Sequence, residues 1–175
     1  MFLNEDISSN GVFAIDCEMV YTRLGVELAR VTVIDANEDV VYDKLVKPSS
    51  EVLDYNTRYS GITKELLNPI KTTLLDVQTH LTQNLLSKDT ILLGHSLDSD
   101  LLSLKLIHKK IVDTSIVFPH KRGLPYRRKL KNLMSDILKL AIQEGTSGHD
   151  AAEDACSCVK LMKWKVMEDG KLSKS

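Results

Sequence analysis

One stretch constrains this chain more than any other. In Val12-Phe13-Ala14-Ile15-Asp16-Cys17-Glu18-Met19, four apolar residues run straight into two carboxylates spaced two apart. An apolar run of this length just after Gly11 predicts a buried strand. Side chains at i and i+2 of a strand share a face, so Asp16 and Glu18 look the same way, and Cys17 turns toward the core. Two carboxylates about 7 Å apart along a strand repel each other unless a cation sits between them. An all-oxygen pair of this kind suits a hard divalent ion such as Mg²⁺ or Mn²⁺. Alone, the pair reads more readily as a strand end meeting solvent, so partners have to come from elsewhere in the chain.

The length of 175 residues predicts one domain with a full hydrophobic core, about 11–167 with short flexible termini. Cys17, Cys156 and Cys158 are the only cysteines, which excludes a disulfide framework, and Cys156-x-Cys158 has the wrong spacing for a zinc knuckle. No apolar run approaches the length of a membrane span. Met1–Asn10 carries Glu5 and Asp6 without an apolar core, which predicts no signal peptide. Net charge is −1, so any nucleic-acid binding has to come from a local patch.

The periodicity predicts strands over Gly11–Cys17, Leu28–Asp35 and Val40–Lys47, the last two joined by the tight turn Asn37-Glu38-Asp39. Residues 49–61 read as a loop. Short helical turns over Thr63–Leu67 precede a helix over Thr73–Leu86 with apolar residues at helical spacing. Thr90–Leu93 and Ile111–Val112 are further short strands. Between them a helix capped by Ser96 runs to about Ile107. Helices over Leu130–Ile142 and Asp150 to about Met167 flank a glycine-containing break at Gly145–Gly148. This β-β-β-α-β-α-β-α-α order predicts an α/β fold with a mixed sheet, whose ligands gather at the carboxyl ends of parallel strands.

The carboxylates of the first strand sit at such an end, and two further acidic elements follow, the first directly after the strand that ends at Leu93. In Gly94-His95-Ser96-Leu97-Asp98-Ser99-Asp100, a Ser96 cap makes Asp100 the residue of the first helical turn that faces back toward the preceding chain, and leaves Asp98 as a charge favoured by the helix start. In Gly148-His149-Asp150-Ala151-Ala152-Glu153-Asp154, Asp150 and Glu153 form a capping-box pattern. His149 and Asp154 then occupy the pair of positions that meet across a helix start, so a base lies beside an acid. Asp113 reads as a cap for Thr114–Val117, His95 as a structural hydrogen-bonder, and Met162 and Trp164 as packing residues.

Asp16-Cys17-Glu18, Gly94-His95 through Asp100, and His149 with Asp154 together resemble the DEDD superfamily of DnaQ-like 3′→5′ exonucleases, in the subclass whose third motif carries His. The similarity runs from about Gly11 to Val166. Finer features, Asp16-Cys17-Glu18-Met19, Asp54 through Thr63, Gly94-His95-Ser96-Leu97 and Val112-Asp113-Thr114-Ser115, are similar to the eukaryotic nuclear RNA exonuclease subgroup. The resemblance implies a ribonuclease H-like fold with a five-stranded mixed sheet in the order 3-2-1-4-5, strand 2 antiparallel. It implies a nuclear or nucleolar setting.

It also implies a two-metal phosphodiester hydrolysis at the 3′ end of single-stranded RNA, yielding 5′-mononucleotides. Asp16, Glu18 and Asp154 would hold one Mg²⁺ or Mn²⁺, Asp16 would bridge to a second, and Asp100 would act there through water. His149 would serve as general base, a task imidazole suits because it changes charge near neutral pH. Met19, Arg58, Ser60, Gly61 and Ile62 would surround the terminal nucleotide, with Arg58 near a phosphate or 2′-hydroxyl. The basic run His120-Lys121-Arg122-Gly123-Leu124-Pro125-Tyr126-Arg127-Arg128-Lys129-Leu130-Lys131 reads as a solvated charged loop or as a track for the strand, with Tyr126 stacking and Arg127 binding phosphate. A DNA 3′→5′ exonuclease and a catalytically inert RNA-binding domain are the alternatives on the same fold. The chain is also consistent with a catalytic piece of a longer protein.

Overall fold

The structure, a computed structural model, describes residues 11–145 and 148–172. A long strand, β1 (Val12–Thr22), pairs antiparallel with β2 (Gly25–Asp35), and β2 pairs antiparallel with β3 (Val40–Leu45). On its other side β1 runs parallel to β5 (Ile91–Gly94), which runs parallel to β6 (Ile111–Asp113). The order β3-β2-β1-β5-β6, with only β2 reversed, is the expected five-stranded sheet. A sixth strand, β4 (Val52–Asp54), pairs antiparallel with the far end of β1 inside the segment expected to be loop. At three residues it is too short to leave a periodic signal.

Strand β1 also runs further than the predicted Gly11–Cys17, because Val20 is fully buried and keeps the pleat going. A turn closes it onto β2, where the Thr22 hydroxyl donates to the Gly25 carbonyl at 3.0 Å. In the β2–β3 turn, the Asp35 carboxylate accepts from the Asn37 and Asp39 amides at 2.8 and 3.0 Å.

Helices cover both faces. Along β1 the alternation is strict where it matters: Ile15 and Cys17 enter one core, Ala14 the other. The first core gathers Val77 and Leu81 of α3 (Leu74–His80, continued by a wider turn over Leu81–Leu85) and Leu97 of α4 (Leu97–Ser103). The second gathers Leu130 and Leu133 of α6 (Leu130–Leu133, continued by a wide turn to Leu138) and Ala155, Val159 and Leu161 of α7 (Ala151–Leu172). Phe118 and Trp164 lie 6.2 Å apart in this layer, and Met162 packs against it, as expected. Short α1 (Thr57–Ser60) and α2 (Lys64–Leu67, capped by the Thr63 side chain) follow β4, and α5 (Thr114–Val117) follows β6.

Helix limits depart from the periodicity in three places. Lys105 and Lys139 adopt left-handed backbone, φ 49° and 59°, so α4 and the α6 segment stop short of Ile107 and Ile142. Helix α7 instead continues past Met167. The expected break at Gly145–Gly148 includes Thr146 and Ser147, which lie outside the described residues, as do Met1–Asn10.

The start of α4 corrects the expected cap. Ser96 sits in left-handed backbone, φ 61°, and its side chain makes no capping bond. Asp113, at the end of β6, supplies it instead: its carboxylate accepts from the Ser96 amide at 2.9 Å and the Leu97 amide at 3.1 Å. One of the same oxygens accepts from the Ser115 amide at 2.8 Å, the cap expected for α5. A single carboxylate therefore ties two helix starts to one strand end. Helix caps are worth about 1 kcal/mol each. Asp113→Ala should cost about 2 kcal/mol, read in urea unfolding as a lower midpoint at unchanged slope. An unchanged midpoint would mean water replaces both caps.

Candidate active site

Pairing of β1 with β5 ends at Ala14 opposite Leu93, so the strands part just before the two acids of β1. The Cys17 amide, free of a strand partner on that side, donates to Asp100 Oδ1 of α4 at 3.0 Å. This bond ties α4 to the middle of β1. A register shift between Glu18 and Met19 bends the strand at the same point, the kind of irregularity that re-aims side chains beside a site.

Helix α7 brings the remaining acid. Asp150 caps its start through the Ala152 amide at 3.0 Å. The expected reciprocal bond from Glu153 is not made; Glu153 accepts the Gln143 amide at 2.8 Å. His149 and Asp154 still meet as predicted, with His149 Nδ1 3.6 Å from Asp154 Oδ2. The His149 turn is seated on the turn after α1: the His149 amide donates to the Tyr59 carbonyl at 2.7 Å, and the two rings meet edge-on at 6.2 Å. Gly148 makes this possible. Its φ is 98°, and a Cβ there would collide with the backbone of Gly61.

Asp16, Asp154 and His149 line one cavity of about 720 Å³, together with Tyr59, His95 and Gln143. Arg127, Arg128, Lys129 and Lys131 form its basic wall. His95 bonds Thr114 Oγ1 at 2.8 Å, the structural role expected of it. Arg127 forks onto Asp98 at 2.7 and 3.1 Å, so Asp98 has a partner beyond its helix.

The other predicted substrate-binding residues are dispersed. Ser60, Gly61 and Ile62 line a second cavity of about 750 Å³ that shares His149 with the first and holds Arg30. Ser60 Oγ is engaged locally, donating to the Tyr55 carbonyl and accepting from the Ile62 amide. Met19 packs on the first core; Arg58 lies exposed over the Tyr59 ring, 5.7 Å from its centre. Tyr126 is exposed between His120 and Arg122. Gln143, now over Asp154, had no sequence signal at all: it falls in irregular chain outside every periodic segment.

Charge in the site is unbalanced. Burial pushes Asp16 well above the usual carboxylate range, and Asp100, Asp154 and Glu18 push it further. Burial raises Glu18 to about 8, reinforced by Asp154 and opposed by Arg30. Asp100 is raised by burial, against the lowering effect of the Cys17 amide. Asp154 is raised to about 6 by burial, against lowering by Gln143 and His149. Arg30, whose charge opposes the rise at Asp16 and Glu18, already forks onto Asp43 at 2.9 and 2.7 Å.

Among the described residues no group of three acids, imidazoles or thiols is drawn together as placed to hold an ion. Asp100 is turned to the Cys17 amide and Asp154 to Gln143. The donor chemistry nevertheless fits divalent cations: Asp100, Asp154 and Glu18 all repel Asp16, and among the described residues none of the four forms an ion pair with a lysine or arginine.

A profile of the exonuclease family matches residues 13–162. The chain belongs to the exonuclease family. The resemblance drawn from its motifs is therefore borne out. It is 55% identical over 161 residues to the human protein named RNA exonuclease 1 homolog, covering 92% of this chain and 13% of that protein. It is 43% identical over 157 residues to RNA exonuclease 1 of Saccharomyces cerevisiae, covering 89% of this chain and 28% of that protein. The chain thus spans less than a third of these relatives. Among solved structures, the Neurospora crassa Pan2 catalytic unit superposes with a TM-score of 0.79 at 25% identity, over 98% of this chain and 30% of that one. The Saccharomyces cerevisiae Pan2 module in complex with A7 RNA gives 0.78 at 26%, over 97% and 31%.

The raised carboxylates set a pH dependence. In the unfolded chain these groups ionise near pH 4, whereas Glu18 and Asp154 in the fold ionise near 8 and 6. The folded state then binds more protons between those limits, so its stability falls as pH rises through that window. In chelator, Tm should drop from about pH 5 to about pH 8, and Mn²⁺ should restore it chiefly at the higher pH, where it no longer competes with protons. A Tm that rises over this range, with no Mn²⁺ effect, would contradict the site's electrostatics.

Proposed function

We propose that this chain is a 3′→5′ exoribonuclease domain that removes 5′-mononucleotides from single-stranded RNA. The observation that carries the reading is the convergence of three separate segments. Asp16 and Glu18 come from β1, Asp100 from α4 onto the β1 backbone, and Asp154 from α7 beside His149. The exonuclease family membership and the names of the relatives support RNA as substrate.

Divalent cations held by Asp16, Glu18 and Asp154, with Asp16 and Asp100 serving a second, would neutralise the phosphodiester and activate water there. The rest is the work of side chains. His149 keeps Nδ1 toward Asp154 and has Nε2 left to accept a proton from the attacking water. Asp154 stabilises the imidazolium that results. Attack at phosphorus releases the 3′-oxygen of the preceding nucleotide, which leaves the phosphate on the 5′ side of the product. The basic wall of Arg127, Arg128, Lys129 and Lys131 neutralises the phosphates of the incoming strand. Arg58 is the candidate reader of the 2′-hydroxyl.

Matched RNA and DNA oligonucleotides labelled at either end, with Mg²⁺, Mn²⁺ or chelator, test the reading. The expected result is one-nucleotide products from the 3′ end of RNA, none in chelator, and slower cleavage of DNA. In the same assay His149→Ala should lower kcat by about 10²–10⁴. Products from the 5′ end, or near-normal turnover of His149→Ala at neutral pH, would overturn the reading. Neutralising Arg127 and Arg128 together should weaken RNA binding. The slope of log K against log salt should fall by about 1 to 2, at about 0.7 for each phosphate no longer neutralised. An unchanged slope would remove the basic wall from the binding surface.

A further inference from the structure

Gln143 is a residue of the site that neither the motifs nor the mechanism uses. It follows Ile142, which is buried in the second core, and adopts left-handed backbone at φ 55°, a conformation that side chains other than glycine rarely take. The backbone is held there from two directions: its amide donates to Glu153 Oε2 at 2.8 Å, and its carbonyl accepts from Lys131 Nζ at 3.3 Å. The side chain then reaches into the cavity, where Nε2 donates to Asp154 Oδ1 and Oδ2, both at 2.9 Å. A donor equidistant from both oxygens sits on the bisector of the carboxylate. That is the direction from which a cation would chelate both oxygens at once. With the bisector occupied, the lone pairs left for a cation belong to one oxygen at a time, and the carboxylate plane is fixed by a group anchored on α7 itself.

We propose that Gln143 is a positioning residue for Asp154: by occupying the bisector of its carboxylate, it fixes the plane of that group and directs it to bind a divalent cation through a single oxygen. This rests on Asp154 being a metal ligand. The left-handed backbone and the Glu153 bond give the amide its aim. Outer partners of this kind orient the ligand, and their loss typically weakens metal binding by about 10–100-fold.

The test is a titration with Mn²⁺ alone, following the free ion by its electron paramagnetic resonance signal. It uses wild type, Gln143→Met, which keeps the side-chain bulk and removes the amide, and Asp154→Asn. The expected result for Gln143→Met is Mn²⁺ affinity reduced about tenfold or more, with kcat on an RNA oligonucleotide reduced and KM unchanged. If Gln143→Met fails to fold, Gln143→Ala is read the same way. Affinity lost in Asp154→Asn but unchanged or tighter in Gln143→Met overturns the positioning role alone. Affinity unchanged in Asp154→Asn removes Asp154 from the metal site, and the positioning role with it.

Discussion

The structure is organised around a burial of like charge. Asp16, Glu18, Asp100 and Asp154 are gathered midway along β1, where it parts from β5, and burial is the largest cause of the raised ionisation of each. Isolated charge in a protein interior is costly, and the ordinary remedy is a paired cation. Here Arg30, the guanidinium that opposes the rise at Asp16 and Glu18, is committed to Asp43. Among the described residues no lysine or arginine forms an ion pair with these four acids, a condition that a divalent cation relieves.

Much of the scaffold serves that gathering. Asp113 joins the end of β6 to the starts of α4 and α5, so the helix carrying Asp100 is fixed relative to the sheet. The Cys17 amide then fixes Asp100 relative to Asp16 and Glu18, because it lies between them on the same strand. Gly148 lets the His149 turn rest on the turn at Gly61, which sets the imidazole against Asp154 from outside α7. Backbone groups make most of these ties, and backbone has little freedom to yield.

The parts legible in the sequence are those governed by local periodicity. The two-residue repeat of a strand put Asp16 and Glu18 on one face, and the first turn of a helix put His149 beside Asp154. The sheet order came through the family resemblance and stands. Long-range competition decided the rest. Ser96 is a sound local cap by sequence, yet Asp113, seventeen residues further along, takes the Ser96 and Leu97 amides, and Ser96 sits in left-handed backbone with no capping bond of its own. Glu153 fitted a capping box, yet the Gln143 amide is its partner. Gln143 itself, and the three residues of β4, belong to segments too short or irregular to carry a period.

The four carboxylates are proposed to close on divalent cations. Crystals of the chain grown with Mn²⁺ and a short RNA, measured at the manganese absorption edge, test it most directly. Anomalous peaks are predicted in contact with Asp16, with Glu18 and Asp154 on one ion and Asp100 on the side of the other. Full-occupancy RNA with no anomalous density among these carboxylates would contradict the account.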